Sequence, residues 1–228
     1  FEAGSTMMAN LNQGALQKKY TKIAQQLSKH QPEGNTTKQA GALLSIANLA
    51  DAKKVNSEIL TKDGAQRMST FYGYYILEAM AKAEDYSGAL DVIRNYWGGM
   101  LDLGATTFWE DFDILDTKNS GRIDELPQEN IFDIHGDFGE YCYVGYRHSL
   151  CHGWASGPTA WLSQYVLGIN VLDGGDTIKL DPHLGDLEFV EGTFPTKYGV
   201  FKVNHKKDEN GTISTFFETP KGLKVIEK

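Results

Sequence analysis

Cysteine is nearly missing from this chain of 228 residues, which holds two, Cys142 and Cys151. Two are too few for a disulfide framework, leaving one local bridge or two free thiols packed as small residues. Basic residues are outnumbered, 22 Lys and Arg against 30 Asp and Glu, for a net charge of −8. That balance argues against nucleic acid or an anionic membrane surface as a partner. No run of about 18 apolar residues occurs, so no helical membrane span is expected. The six histidines form no cluster with metal-ligand spacing, and neither a metal nor a cofactor is expected. An initiator Met and a charged-then-apolar leader are also missing, because the chain opens Phe1-Glu2-Ala3-Gly4. It reads as a portion of a longer polypeptide.

What is present is ordinary for a water-facing globular protein: 41% apolar and 23% charged residues. The length suffices for a substantial core. Aromatic residues are plentiful, with 11 Tyr, 11 Phe and 4 Trp, a supply that suits a carbohydrate cleft without establishing one.

The chain divides into helices followed by strands. Met7, Met8, Leu11, Ala15, Ile23 and Leu27 recur at three- and four-residue steps and predict one helix over 5–29. Pro32-Glu33-Gly34-Asn35 ends it, and Thr36 or Thr37 is suited to cap the next, over 38–49, whose thin polar face predicts packing on both sides. A short polar helix over 51–60 follows, then strong helices over 68–83 and 85–100. Phe71, Tyr74, Tyr75, Leu77 and Met80 line the first, with Glu78 at the edge of that stripe or turned into a cleft. Leu90, Ile93, Tyr96, Trp97 and Met100 line the second. Residues 111–147 show no period and end in Tyr141, Tyr143 and Tyr146, as a functional loop or active-site wall would. A last helix spans 157–167, with Pro158 in its first turn. Helices joined by short loops point to stacked α-hairpins. From Gly168 the period shifts towards two, with strands expected at 169–171, 177–180, 186–190, 199–203 and 213–218. Asp173-Gly174 and Asn210-Gly211 mark turns of an antiparallel module.

Two motifs carry chemistry. In Gly104-Ala-Thr-Thr-Phe-Trp-Glu110 a helix ends and delivers Trp109 beside Glu110. An indole covers the C–H face of a sugar, and a carboxylate moves a proton. The same string also fits a helix start, where Glu110, Asp111 and Asp113 would complement the dipole. In Ser149-Leu-Cys-His-Gly-Trp-Ala-Ser-Gly-Pro158 small residues permit close backbone approach to a ligand, and His152 is placed to reach a sugar hydroxyl or Glu110. Cys151 beside His152 is a poor nucleophile pair, because adjacent side chains rarely face each other. His135, His148 and His183 are read as surface or hydrogen-bonded core histidines.

Together with Tyr165-Val-Leu-Gly-Ile169, Pro182-His-Leu-Gly-Asp-Leu187 and Glu191-Gly-Thr-Phe-Pro-Thr196, these strings closely resemble the α-L-rhamnosidases of glycoside hydrolase family 78. The resemblance is firm from about residue 70 onward and looser before it. It implies an α-then-β fold: a partial (α/α)6 toroid of helical hairpins over 1–168, followed by a small antiparallel β-sandwich over 169–228. It also implies an inverting glycosidase for terminal α-L-rhamnose, in which Glu110 is the general base that activates water. His152 falls in the sugar subsite. Phe71 and Tyr72 fall where the family places an aromatic cleft residue, and Trp109 and Trp154 are expected as aromatic walls. An extracellular or periplasmic setting suits polysaccharide breakdown.

The family's Asp-x-x-Arg-x-Glu motif, which bears the general acid, has no counterpart here. Gly121-Arg-Ile-Asp-Glu125 has the residue types but lacks the preceding Asp. The acid is therefore expected upstream, on the remainder of the barrel from the same parent protein, and this chain alone is expected to be a poor enzyme. The alternatives are a six-hairpin glycosidase for another sugar and a carbohydrate-binding fragment without catalysis; subsite residues, not the Trp-Glu motif, decide between sugars.

Overall fold

The computed structural model describes residues 1–30, 36–133 and 148–228. Pro32 to Asn35, the tyrosines at 141, 143 and 146, Cys142 and His135 lie outside them.

Among the described residues seven α-helices come first. Helix α1 (Glu2–Asn10) and α2 (Gly14–Leu27) replace the single helix expected over 5–29. The break is at Asn12, whose φ of 56° is left-handed, a conformation Asn tolerates through its short polar side chain. The Asn12 and Gln13 N–H groups bond back to Ala9 and Met8, which satisfies the carbonyls that the broken helix exposes. The two helices pack on each other, and neither contains a buried residue. The three- and four-residue steps there mark helix, but the face they define is not buried.

Thr37 caps α3 (Lys38–Ile46), its hydroxyl accepting the Ala40 N–H at 3.3 Å. Its packed face is Gly41, Ala42 and Ser45, while Leu43 is exposed. The expectation of burial on both sides fails, because small residues let α3 lie close to its neighbour with one face only. Asp51 caps α4 (Ala52–Val55), which runs into a π-helical turn over Asn56–Leu60.

Helices α5 (Thr70–Lys82) and α6 (Tyr86–Asp102) form a hairpin across a three-residue turn. Asp85 caps α6, accepting the Gly88 N–H at 3.0 Å and the Asn56 amide at 2.8 Å. Helix α7 (Gly157–Trp161) has Pro158 in its first turn and continues as a π turn through Leu162–Val166. Both α3 and α7 pack against α5. Ile76, Leu77, Met80, Tyr96, Trp97, Met100, Trp109 and Trp161 build the core there, at 0–5% exposure. Each indole N–H but one finds a backbone acceptor: Trp97 donates to Ala155 O at 2.9 Å and Trp161 to Leu77 O at 3.0 Å. These bonds tie loop to helix and α7 to α5.

The β region forms two three-stranded sheets. Strands β1 (Ile169–Leu172), β2 (Thr177–Leu180) and β6 (Lys224–Glu227) make one, and β3 (Phe189–Thr196), β4 (Gly199–Lys207) and β5 (Ile213–Glu218) make the other as an antiparallel meander. Ile169, Ile178, Leu180, Phe201, Val203 and Leu223 fill the space between the sheets. Helical hairpins followed by a β-sandwich are therefore observed as expected. Two strands differ. The third begins at Phe189 rather than 186 and runs through Gly192 and Pro195, residues that hide a strand from propensity. Pro195 is tolerated because β3 is an edge. Gly192 lies under Leu167, where an added Cβ would come within 2.6 Å of a leucine methyl and the leucine side chain would have to move. Strand β6 was not anticipated, and it pairs parallel with β2, since the chain traverses the whole second sheet before returning.

His205 on β4 joins the two regions. It is 1% exposed, with Nδ1 at 2.9 Å from the Thr215 hydroxyl and Nε2 at 3.1 Å from Leu167 O. Burial lowers its pKa, and the Leu167 carbonyl opposes that only in part. Above the ordinary imidazole value of 6.5 both folded and unfolded chains are neutral here. Below it the unfolded chain takes up a proton that the folded chain refuses, so stability falls with pH until the depressed folded value is reached. Urea unfolding at pH 7.5 and 5.5 should show that loss. His205→Gln, less stable at pH 7.5, should show a slope smaller by up to about 1.4 kcal/mol per pH unit in that window. An equal slope in the variant would assign the pH dependence elsewhere.

Candidate active site

Helix α6 ends in a left-handed glycine, Gly104 at φ 90°. The Gly104 N–H bonds Leu101 O and the Ala105 N–H bonds Met100 O, both at 2.9 Å, the paired bonds of a Schellman stop. The chain then leaves without regular structure, bending at Thr106 and Thr107. It does not start an α-helix at Glu110; Asp113, not Glu110, caps the next element, a 3₁₀ turn over Ile114–Asn119. Of the two readings of the first motif, the helix start survives only for Asp113.

Residues 107–110 run against 149–152. The Glu110 N–H bonds Ser149 O at 2.8 Å, the His152 N–H bonds Phe108 O at 2.8 Å, and the Thr107 hydroxyl donates to Leu150 O. This pairing brings the two motifs together across about forty residues of chain. It also aims the Ser149 N–H at the Glu110 carboxylate, with Oε2 accepting at 3.0 Å. The Glu110 carbonyl accepts from the Thr70 hydroxyl at the start of α5 and from the Trp154 indole N–H at 3.1 Å. Glu110 is thus held by its N–H, its carbonyl and one carboxylate oxygen. Its side chain retains 15% exposure, so solvent still reaches it.

His152 Nδ1 stands 3.8 Å from Glu110 Oε2, an ion-pair distance only when the ring is protonated. The His152 ring lies 4.3 Å from the Trp154 ring. Trp154 in turn meets Phe71 at 5.7 Å, and Phe71 meets Tyr72 at 5.2 Å. Phe71, Tyr72 and Trp154 are 37–47% exposed. An aromatic ledge thus leads from α5 to the carboxylate. The arrangement offers apolar faces, an imidazole and a carboxylate to one ligand.

Trp109 does not join it. The ring is 0% exposed and packs edge-on to Phe112 at 5.8 Å, so the expected aromatic wall is a core residue. Its Nε1 has no acceptor among the described residues. The strand-like pairing of Phe108 and Glu110 with the second motif explains this: neighbouring side chains in such a pairing point to opposite sides, so Trp109 goes inward where Glu110 goes outward. His148 is buried and accepts the Asp111 N–H at 3.0 Å, a hydrogen-bonded histidine as expected. His183 stacks on Tyr86 at 3.9 Å. Glu78 is half-buried and accepts from Tyr165 OH at 3.1 Å; burial raises its pKa, against the opposing pull of the tyrosine hydroxyls. Arg122 and Asp124 pair with each other, and Arg122 donates to Asp102 O at 2.7 Å, so they close the end of α6. Thr70 and Ser149 were missed as supports of Glu110, because a threonine hydroxyl and a main-chain N–H that act on it from 40 and 39 residues away leave no local signal. Cys151 is exposed with a free thiol. Among the described residues no group of His, Cys, Asp and Glu is arranged to hold a metal ion, and no helix is long and apolar enough to cross a membrane.

Comparison with known proteins gives a fold. The sequence matches no family model and no curated protein. Solved structures do match. The native α-L-rhamnosidase of Aspergillus terreus aligns over 98% of this chain with a TM-score of 0.75 at 16% identity. The α-L-rhamnosidase of Dictyoglumus thermophilum aligns over 95%, at 0.69 and 20%. The family 78 rhamnosidase of Bacillus sp. GL1 aligns over 84%, at 0.62 and 22%. The fold is that of part of an α-L-rhamnosidase. This chain spans 26%, 24% and 19% of those three chains. Within the rhamnosidase fold, identity this low fixes backbone and leaves subsite chemistry to the side chains described above.

Gly157 enters α7 beneath this ledge, and an added Cβ there would lie 2.7 Å from the Tyr74 Cβ and 3.2 Å from its Cα. Neither atom can swing away. Gly157→Ala should therefore cost about 1–3 kcal/mol of stability, read from the urea midpoint at unchanged m-value. A midpoint within error of the parent's would mean α7 can shift freely.

Proposed function

We propose that this chain supplies the base-bearing portion of an inverting glycoside hydrolase that releases terminal α-L-rhamnose. Residues 1–168 belong to a six-hairpin catalytic domain and 169–228 to a β-sandwich domain. The single observation that carries the reading is Glu110: a part-exposed carboxylate that accepts the Ser149 N–H, on a residue whose backbone carbonyl is held by Thr70 and Trp154, beside His152 and an aromatic ledge. The likeness to solved rhamnosidases over nearly the whole chain supports the choice of sugar.

In this reading the ledge of Phe71, Tyr72 and Trp154 takes the apolar face of the sugar, and His152 binds a ring hydroxyl. Glu110 removes a proton from a water molecule as that water attacks the anomeric carbon. A carboxylic acid on the opposite side protonates the departing oxygen. Inversion requires room for the water, so the two carboxyl groups should stand roughly 6.5–9.5 Å apart. That acid is assigned to the remainder of the parent barrel, because Asp124, the nearest match by motif, is committed to Arg122. No cofactor is invoked, and the partner is a carbohydrate.

The test is hydrolysis of p-nitrophenyl α-L-rhamnopyranoside by the complete polypeptide and its Glu110→Gln variant. The turnover rate should fall on the order of 10²–10⁴-fold while the fold is kept. Unchanged turnover would remove Glu110 as base. A parent inactive on this glycoside but active on another would replace rhamnose with that sugar.

A further inference from the structure

Side chains on the β3–β4–β5 sheet alternate between two faces. The inward set, including Phe194, Phe201 and Val203, closes the sandwich core. The outward set faces solvent, yet it includes Phe189 at 66% exposure and Phe216 at 63%. Outward positions of an antiparallel sheet are ordinarily polar; here two exposed phenyl rings stand among polar neighbours on one face.

The register fixes their neighbours. Phe216 lies opposite Asn204, which lies opposite Glu191; Phe189 lies opposite Lys206. With strands about 4.8 Å apart and about 3.4 Å per residue, the two phenylalanine backbones are separated by about 12 Å. A short oligosaccharide bridges that distance and a single sugar ring does not. Glu191, Thr193, Lys202, Asn204, Phe216 and Glu218 line a shallow groove of about 480 Å³ on this face.

We propose that this outer sheet face is a second glycan-binding surface, separate from Glu110, that takes a neutral oligosaccharide or polysaccharide chain. An exposed phenyl ring is a platform for the C–H face of a sugar. An amide, a hydroxyl and a carboxylate beside it match the hydroxyl rim. The charges of the face cancel, Glu191 and Glu218 against Lys202 and Lys206, and Lys202 is paired with Glu218 at 2.9 Å. A balanced face selects neither a polyanion nor a polycation. A protein partner would bury a contiguous apolar centre, whereas here charged and polar residues separate the two rings.

Affinity electrophoresis of the full chain through gels containing dextran, galactomannan, xyloglucan or hydroxyethyl cellulose tests this. Retardation is expected in at least one gel. Phe216→Ala should weaken it about tenfold, and Asn204→Ala should weaken it too. Phe71→Ala, at the ledge by Glu110, should leave it unchanged. Both phenylalanines are exposed, so far-UV circular dichroism of the variants should match the parent. The proposal is overturned by no retardation in any gel, by retardation that survives Phe216→Ala and Phe189→Ala, or by retardation lost in Phe71→Ala alone. It is also overturned if sedimentation shows a concentration-dependent dimer that Phe216→Ala abolishes, since a second copy would then be the occupant. This surface and the Glu110 reading stand or fall separately.

Discussion

The site depends on one piece of backbone pairing. Residues 107–110 and 149–152 lie against each other through main-chain hydrogen bonds, and everything proposed for Glu110 follows from that contact. Without it the Ser149 N–H does not reach the carboxylate, His152 does not approach, and Trp154 has no carbonyl to donate to. The pairing stands outside any sheet. It is held from below by the core, where Trp97 and Trp161 fasten the 153–161 segment to α5 and α6 through their indole nitrogens. Buried indoles of this kind contribute apolar area and a directional bond at once. The segment carrying His152 and Trp154 is thereby positioned before any ligand arrives, which lowers the entropic cost of ordering a site on binding.

Small residues are the second constraint. Gly73 lies against the Trp97 ring, Gly157 against Tyr74 and Gly192 against Leu167, each closer than a Cβ permits. The first lets α6 and the second lets α7 sit tightly on α5. The third lets the edge strand of the sandwich approach the end of the last helix. His205 reinforces that seam by bonding Leu167 from β4. The helical and β regions are therefore joined through side chains from both, although their hydrophobic clusters are distinct.

The N-terminal helices behave differently. α1 and α2 have the residue spacing of amphipathic helices, yet Met7, Leu11, Leu16 and Leu27 are all exposed. Periodicity records which face a helix can bury, and only the rest of a fold decides whether it does.

Much of the outcome was legible in the residue order. The 3.6-residue period over 70–102, the stop at Gly104, Pro158 at the start of α7 and the shift to a period of two after Gly168 are local signals with local causes. So is the cap at Thr37, one of the two threonines suited to it; the caps at Asp51 and Asp85 are equally local in cause but came from the structure. The resemblance carried in two short strings pointed to Glu110 and His152 together. The tertiary structure decided what those signals leave open. It sent Trp109 into the core and kept Trp154 on the ledge, though each is a tryptophan within a motif. It placed Thr70 and the Ser149 N–H on Glu110, paired β6 with β2 in parallel, and left two phenylalanines facing solvent on a sheet. Local choices depend on sterics and hydrogen bonds within a turn or two of chain, which the sequence states directly. Contacts across tens of residues depend on which apolar faces meet and which backbone groups are still unpaired when they do, and that is settled only when the whole chain packs.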